Sequence, residues 1–170
     1  MVQIQRELLQ QVSVLGALSR EALDFLLGRA VRVEGKKGQF FFREGDPAQS
    51  MYIVESGRVA ILKYWRGQPY LINVLGPGQC FGEMALMDMH TRSASVQAQQ
   101  DTGVVKIGAQ DLLALYEQDL EQFTLLQMNL GREVSRRLRE ADDFVFQSRI
   151  GVREKAATPP YPKFDTPVSR

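Results

Sequence analysis

The sequence predicts a mainly β, or α+β, fold: an antiparallel β-roll of the jelly-roll type with N-terminal helices and a long C-terminal helix. Seven short runs rich in β-branched and aromatic residues occupy residues 31–107, and turns containing glycine separate them. Before and after this region, apolar residues recur every three or four positions, which is the period of an amphipathic helix. Short strands joined by glycine turns at this spacing are typical of antiparallel barrels and sandwiches.

Residues 1–30 are predicted to form two helices. In the first, four apolar residues recur at helical spacing: Ile4, Leu8, Leu9 and Val12. Ser19 is a good N-cap for the second helix, because its hydroxyl can accept from a free backbone amide. One face of that helix carries Leu23, Leu26 and Leu27.

The β-roll is predicted within residues 31–107. Its seven strand candidates are VRV at 31–33, QFFF at 39–42, MYIVE at 51–55, RVAILKYW at 58–65, PYLINVL at 69–75, SASVQA at 93–98 and VVKI at 104–107.

Helical periodicity returns in residues 110–148. Asp111 to Tyr116 is predicted to form a short helix, and one long helix with a continuous apolar stripe follows. That stripe comprises Leu120, Phe123, Leu126, Leu130, Val134, Leu138, Ala141 and Val145. Residues 1–148 are therefore expected to form one domain. Residues 149–170 contain four of the seven prolines and are expected to be a disordered tail.

The composition excludes several classes of site. The chain has 170 residues, 44% of them hydrophobic, and a net charge of +1, so it has no general attraction for DNA or an anionic membrane. A single cysteine, Cys80, and a single histidine, His90, exclude an intramolecular disulfide and predict no metal site. The N-terminus does not resemble a signal peptide, and no run is long enough to span a membrane. We expect a cytoplasmic protein.

The segment 81–98 carries the chemistry. Gly82 allows the backbone to approach a ligand and opens a short helical turn whose amides are free to donate. Glu83 can accept a hydrogen bond from a ribose hydroxyl, and the planar guanidinium of Arg92, beside the hydroxyl of Ser93, suits a phosphate. The residues alone are equally compatible with an ordinary turn in which a surface arginine forms an ion pair.

The same segment resembles the phosphate-binding cassette of the cyclic-nucleotide-binding domain family. The family pattern is F-G-E-apolar-A-L, a loop of about six residues, then R-small-A-S/T-V; here the segment contains FGEMAL at 81–86 and RSASV at 92–96. Further family elements fall in order at Gly38, 42–46, 52–57 and 76–78. Thr91 replaces a frequent proline and Met84 a usual leucine, and neither change removes a ligand contact.

The resemblance implies a role for each cassette residue. Glu83 would bind the ribose 2′-hydroxyl and Arg92 the cyclic phosphate. The backbone amides of Met84 and Ala85 and the hydroxyl of Ser93 would bind the remaining phosphate oxygens. Gly82 would allow the close approach of the backbone.

The resemblance also implies residues that contact the base. Ile61 and Ile72 would pack on the purine, although an ordinary core position is the alternative for both. Asn73 lies beside them in the sequence and is within reach of the base. Asp142, near the end of the long helix, would contact the purine in dimeric relatives, or it is a solvated residue without a view of the pocket. Serine at position 93 favours cAMP in the family, whereas the acceptor-only carboxylate of Asp142 favours cGMP.

The resulting expectation is a non-catalytic domain, with no catalytic residues, that binds a cyclic purine mononucleotide. We expect cAMP as the regulatory ligand, cGMP being second, and allosteric signalling to an unknown effector protein. The long helix is expected to form a homodimer, because its stripe is longer than one roll can cover. Too few residues follow Val145 for a helix-turn-helix, so we do not expect DNA as a partner. The alternatives are a fragment of a DNA-binding regulator, a hydrolase using His90, and a scaffold for cGMP, a cyclic dinucleotide or no nucleotide.

Two further groups of residues have simpler interpretations. Arginines at 132, 136, 137 and 139 alternate with acidic residues on the long helix, which predicts ion pairs four residues apart on a solvated face. Cys80 is expected to fill a buried position, and His90 to be solvated.

Overall fold

The structure, a computed structural model, describes Leu9 and residues 12–150, and it consists of two antiparallel sheets of four strands each. The first sheet has the order β1-β8-β3-β6 and the second the order β2-β7-β4-β5. The strands are β1 Val31–Gly35, β2 Phe40–Phe42, β3 Ser50–Ser56, β4 Val59–Trp65, β5 Gln68–Leu75, β6 Cys80–Phe81, β7 Ser95–Ala98 and β8 Thr102–Gly108. The predicted β-roll is thereby confirmed.

Strand β6 is the one that the sequence analysis missed. It contains only Cys80 and Phe81, which pair with Ile53 and Tyr52 of β3. Two residues are too few to show the alternation by which strands are recognised in a sequence.

Four helices have both ends within the described residues: α1 Arg20–Arg29, α2 Met84–Met87, α3 Ala109–Gln118 and α4 Leu120–Ile150. Leu9 is also helical. Ser19 caps α1 as predicted, because its Oγ accepts a hydrogen bond from the amide of Ala22 at 3.1 Å. Helix α3 begins earlier than predicted because the carboxylate of Asp111 accepts from the amide of Gly108 at 2.8 Å. None of the helices described is long and apolar enough to cross a membrane.

The structure describes only parts of the predicted N-terminal helix and of the predicted C-terminal tail. Most of the first predicted helix, including Ile4 and Leu8, lies outside the described residues. Helix α4 continues to Ile150, two residues past the predicted domain end at 148. The remainder of the predicted tail, 151–170, also lies outside the described residues.

Two hydrophobic clusters hold the elements in place. The larger lies between the first sheet and the helices, and it includes Leu26, Met51, Ile107, Leu126 and Leu130. The smaller lies between the two sheets, and it includes Tyr52, Val59, Phe81, Val96 and Val104. In the smaller cluster the rings of Tyr52 and Phe81 are stacked with their centroids 5.0 Å apart. This aromatic layer forms the floor under the segment 81–98.

Helix α4 is packed along its first half only. Leu126 and Leu130 are buried, and the side-chain amide of Asn129 donates to the carbonyls of Val14 and Gly16 at 3.2 and 2.7 Å. From residue 138 to residue 149, every side chain on α4 is exposed.

Candidate functional site

A pocket opens where α2, β4, β7 and α4 meet. Seven of the ten predicted site residues line it: Ile61, Gly82, Glu83, Met84, Ala85, Arg92 and Ser93. The other residues of its wall are Phe42, Phe81, Ala94, Val96 and Arg137. The structure therefore brings the cassette residues together around one cavity.

Gly82 is required at its position for two reasons. Its backbone has a φ of +77°, a region that other residues adopt only at a cost. A Cβ atom there would also lie 2.5 Å from Nη1 of Arg92 and 3.3 Å from the ring of Phe42. A side chain at position 82 would thus displace the arginine from its place in the wall.

Arg92 is buried and firmly held. Its side chain lies over the ring of Phe42 at 4.0 Å, Nη1 donates to the carbonyl of Gly82 at 2.9 Å, and Nη2 donates to Oγ of Ser50 at 3.2 Å. The residue is only 4% exposed, and its Nε has no hydrogen-bond partner in the described part of the chain. Burial lowers the pKa of Arg92, but a guanidinium stays protonated in proteins. The pocket wall therefore contains a buried guanidinium whose Nε–H donor has no partner.

Glu83 is the acidic residue of the pocket wall, and it is only 1% exposed. Its Oε1 accepts a hydrogen bond from Nη1 of Arg137 at 2.7 Å, whereas Oε2 has no partner among the described residues. Burial raises the pKa of Glu83, and the nearby charge of Arg137 opposes that rise. An unpartnered buried carboxylate oxygen is costly, so this acceptor is suited to a donor brought by a ligand.

Arg137 is the pocket residue that the sequence analysis missed. Besides Glu83, its guanidinium donates to the carbonyl of Cys80 at 2.5 Å and to Oε1 of Glu133 at 3.0 Å. Glu133 is itself buried, and its Oε2 accepts from the hydroxyl of Ser13 at 3.3 Å. A polar chain therefore runs from the pocket through α4 to the segment before α1.

The prediction that the arginines of α4 lie on a solvated face was wrong for Arg137 and its partner Glu133. Arg136 and Glu140 do form the predicted exposed pair, at 3.1 Å. Arg137 and Glu133 also pair with a spacing of four, but their side chains are only 26% and 5% exposed. Arg137 reaches Cys80 of β6 and the pocket, and Glu133 contacts Ser13. The spacing of four identifies the ion pair, but it does not indicate which side of the helix is covered.

Three predicted site residues do not reach the pocket in this structure. Ile72 is 53% exposed on β5, away from the cavity wall. Asn73 is exposed, and its Oδ1 accepts from the amide of Val74 at 2.8 Å. Asp142 is exposed on the unpacked half of α4. The residues predicted to contact the purine, apart from Ile61, therefore lie outside the cavity, whereas those predicted to bind the phosphate and the ribose line it.

The single cysteine and histidine contribute no second site. Cys80 is buried, and burial raises the pKa of its thiol to about 12, so it is inert at neutral pH. His90 is exposed in the loop after α2. Over the residues that the structure describes, no group of three or more His, Cys, Asp or Glu side chains could hold a metal ion.

Comparison with known proteins defines the class. Residues 32–119 match the cyclic nucleotide-binding domain family, so the chain belongs to it. It is 38% identical over 126 residues to the cyclic AMP receptor protein of Thermus thermophilus, covering 74% of this chain and 56% of that protein. It is 36% identical over 108 residues to the cAMP-dependent protein kinase type II regulatory subunit of Drosophila melanogaster, covering 64% of this chain and 28% of that protein.

The solved structures agree with this assignment. The catabolite activator protein of Thermus thermophilus superposes with a TM-score of 0.71 at 35% identity, covering 81% of this chain and 63% of that chain. The chain spans about half, or less, of the length of the two curated relatives named above. What is shared is the nucleotide-binding domain, together with the helices around it.

Proposed function

We propose that this domain binds cAMP in the pocket between α2 and α4 and passes the binding event to a partner protein without catalysis. One observation carries the proposal: a buried cation with an unpaired donor, Arg92, and a buried carboxylate with an unpaired acceptor, Glu83, line the same cavity. Each unpaired buried atom costs free energy, and a ligand that supplies its hydrogen-bond partner removes that cost.

A cyclic nucleotide presents the two groups that this pair requires. Its phosphate is an anion with two exocyclic oxygens, which suits a planar guanidinium. Its ribose 2′-hydroxyl is a donor for Oε2 of Glu83. The amides of Met84 and Ala85 begin α2 and have no acceptor within the helix, and Ser93 lies exposed at the rim, so both are available to the phosphate.

Two points support cAMP over cGMP. Two of the relatives are named for cyclic AMP, at 38% and 36% identity to this chain. In the family, threonine at the position of Ser93 accompanies cGMP preference, and this chain has serine there. The carboxylate of Asp142 is the argument for cGMP, and it is exposed and outside the pocket.

The output is proposed to pass through α4. Arg137 connects Glu83 of the pocket to Glu133, so a ligand that binds Oε2 of Glu83 acts on a carboxylate that α4 also holds. A ligand shifts an equilibrium only by its difference in affinity for the two states, and this contact supplies such a difference.

We further propose that the exposed half of α4 forms a homodimer. Large apolar side chains remain uncovered there: Leu138, Phe144, Val145 and Phe146. Leu138 and Val145, two turns apart, share one face of the helix, and uncovered apolar residues of this kind mark an interface. Multi-angle light scattering at micromolar concentration should give twice the monomer mass of 19.2 kDa, with the L138E/F146E variant as a monomeric control. A monomer mass for the parent, with and without cAMP, would contradict the proposal.

Calorimetric titration tests the ligand. The panel is cAMP, cGMP, a cyclic dinucleotide and 5′-AMP, which has the same base and sugar as cAMP but an open, doubly charged phosphate. We expect cAMP to bind most tightly and 5′-AMP to bind least well of the mononucleotides. Binding of none of them, or tightest binding of the dinucleotide, would overturn the proposed function.

A further inference from the structure

Ser50 is a buried residue whose hydroxyl contacts Arg92, although it lies 42 residues earlier in the sequence. It begins strand β3, is 5% exposed, and accepts a hydrogen bond from Nη2 of Arg92 at 3.2 Å. Its own hydroxyl donates to the Tyr52 hydroxyl at 3.3 Å. The donors therefore point consistently away from the cation, from Arg92 to Ser50 to Tyr52.

We propose that Ser50 is a positioning residue that fixes the rotation of the Arg92 guanidinium in its own plane, and with it the geometry of phosphate recognition. This inference rests on the proposed function. It assigns no ligand contact to Ser50, which is absent from the pocket wall and acts only through the arginine.

Three contacts together determine the orientation of the guanidinium. The ring of Phe42, 4.0 Å from the guanidinium carbon, fixes the plane of the group. The carbonyl of Gly82 holds Nη1 at 2.9 Å but leaves the group free to turn about that one bond. The hydroxyl of Ser50 holds Nη2 as well. Because two atoms of the guanidinium are then held, the group cannot rotate in its own plane.

The orientation decides which donors face the ligand. An arginine has five N–H donors in a rigid fork, and two of them are engaged by Gly82 and Ser50. The unpaired Nε–H and the second hydrogens of Nη1 and Nη2 remain for the phosphate. If the fork turns, a different edge meets the two exocyclic oxygens of the cyclic phosphate.

The test uses the two phosphorothioate diastereomers of cAMP, in which sulfur replaces one or the other exocyclic oxygen. The parent should bind the two diastereomers with different affinities, because its fork is fixed. Ser50→Ala should bind cAMP roughly tenfold more weakly, because the ligand must then order a guanidinium that the parent holds in place. It should also bring the affinity ratio of the diastereomers at least threefold closer to one, which a merely structural role would not do.

Two matched variants separate positioning from packing. Ser50→Thr keeps a hydroxyl and should restore most of the affinity and of the ratio. Ser95→Ala removes an equally buried serine, 2% exposed, whose Oγ accepts from the Glu44 amide and does not touch Arg92. It should leave the ratio unchanged. If Ser50→Ala does not fold, Tyr52→Phe removes the next hydroxyl of the chain and should shift the ratio in the same direction by a smaller factor.

The outcomes distinguish this inference from the proposed function. If the parent binds no cyclic nucleotide, the proposed function fails, and the inference fails with it. If the parent binds cAMP but Ser50→Ala keeps the parent's affinity and ratio, only the positioning role is overturned. An equal loss for both diastereomers, with the ratio unchanged, also overturns it.

Discussion

The two ends of the pocket are built differently. At the phosphate end, Gly82, Glu83 and Arg92 are fixed by a positive φ, burial and hydrogen bonds of 2.7–3.2 Å. At the purine end, Ile72 and Asp142 are exposed and lie outside the cavity wall. A site that is pre-ordered at one end should derive most of its affinity there, and the open end should contribute to selectivity only once something covers it.

Removal of the phosphate cation tests this comparison with the largest expected effect. Arg92→Ala should weaken cAMP binding by about two to three decades, because breaking a buried charge pair costs about 3–5 kcal/mol. Calorimetric titration of parent and variant measures the difference.

Arg43→Ala is the matched control for that change. Arg43 is an exposed arginine whose guanidinium stacks on Phe40 at 3.8 Å, and it does not line the pocket. It should titrate like the parent. If Arg92→Ala also binds cAMP with the parent's affinity, the phosphate end has been assigned to the wrong residues.

Glu83→Ala should have the next largest effect, about 1.5–3 kcal/mol, as expected for one hydrogen bond to a charged group. The loss should be specific to the ribose hydroxyl. 2′-Deoxy-cAMP, which lacks that hydroxyl, should bind the parent more weakly than cAMP does, and it should bind Glu83→Ala about as well as cAMP does. A variant that still prefers cAMP by the parent's factor would show that Glu83 does not contact the 2′-hydroxyl.

That the cassette residues lie together was predictable because they are neighbours in the sequence. Gly82 to Ser93 form one turn, one helix and one loop, so their order alone brings them to one place. The base contacts were predicted from the family, and nothing local determines whether Ile72 faces inward: a register shift between Ile61 and Leu62 lies beside it in the β4–β5 pair. A bulge of this kind changes which side chains share a face.

Arg137 was not predictable for a different reason. It lies 54 residues after Glu83, and its spacing with Glu133 is satisfied equally well on a solvated helix face. Only the packing of α4 against β6 places it in the pocket. The fold was easier to predict from the sequence than this contact, because the alternation of short strands and glycine turns is a local signal. Among the strands, only the two-residue β6 was too short to show that signal.

Replacement of Arg137 should produce a smaller effect, visible in stability. Arg137→Met retains the aliphatic part of the side chain but leaves Glu83 without its charge partner. We expect the free energy of unfolding at neutral pH to fall by about 1–2 kcal/mol. Urea denaturation followed by circular dichroism measures it.

The raised pKa of Glu83 determines how the free energy of unfolding changes with pH. Burial raises the pKa of Glu83 in the folded state above its ordinary value of 4.5, so between these two pKa values the folded state binds more protons than the unfolded state. Stability contributed by Glu83 therefore falls as the pH rises through that window. Since Arg137 opposes the rise of the pKa, Arg137→Met should widen the window upward and steepen the loss.

Arg136→Met is the control for the pH dependence. Arg136 contacts Glu133 and Glu140 on the same helix but not Glu83. Its replacement should leave the dependence of stability on pH above 4.5 close to that of the parent. If Arg136→Met and Arg137→Met give the same curve in this range, Glu83 is not the group responsible.

The smallest expected effect belongs to the open end. Asp142 is exposed on the unpacked half of α4, and it can contact the purine only if a second copy of the helix, or a movement of its own, brings it over the pocket. Its carboxylate would accept one hydrogen bond from adenine or two from guanine, so Asp142→Ala should raise the ratio of cAMP to cGMP affinity by a few fold if that contact forms. Asp143→Ala, its exposed neighbour, is the control. Both affinities are measured in the parent and in the monomeric L138E/F146E variant, in which the effect should disappear if the partner helix supplies the contact. A ratio that Asp142→Ala leaves unchanged in the parent background would place selectivity in the pocket walls and at Ser93.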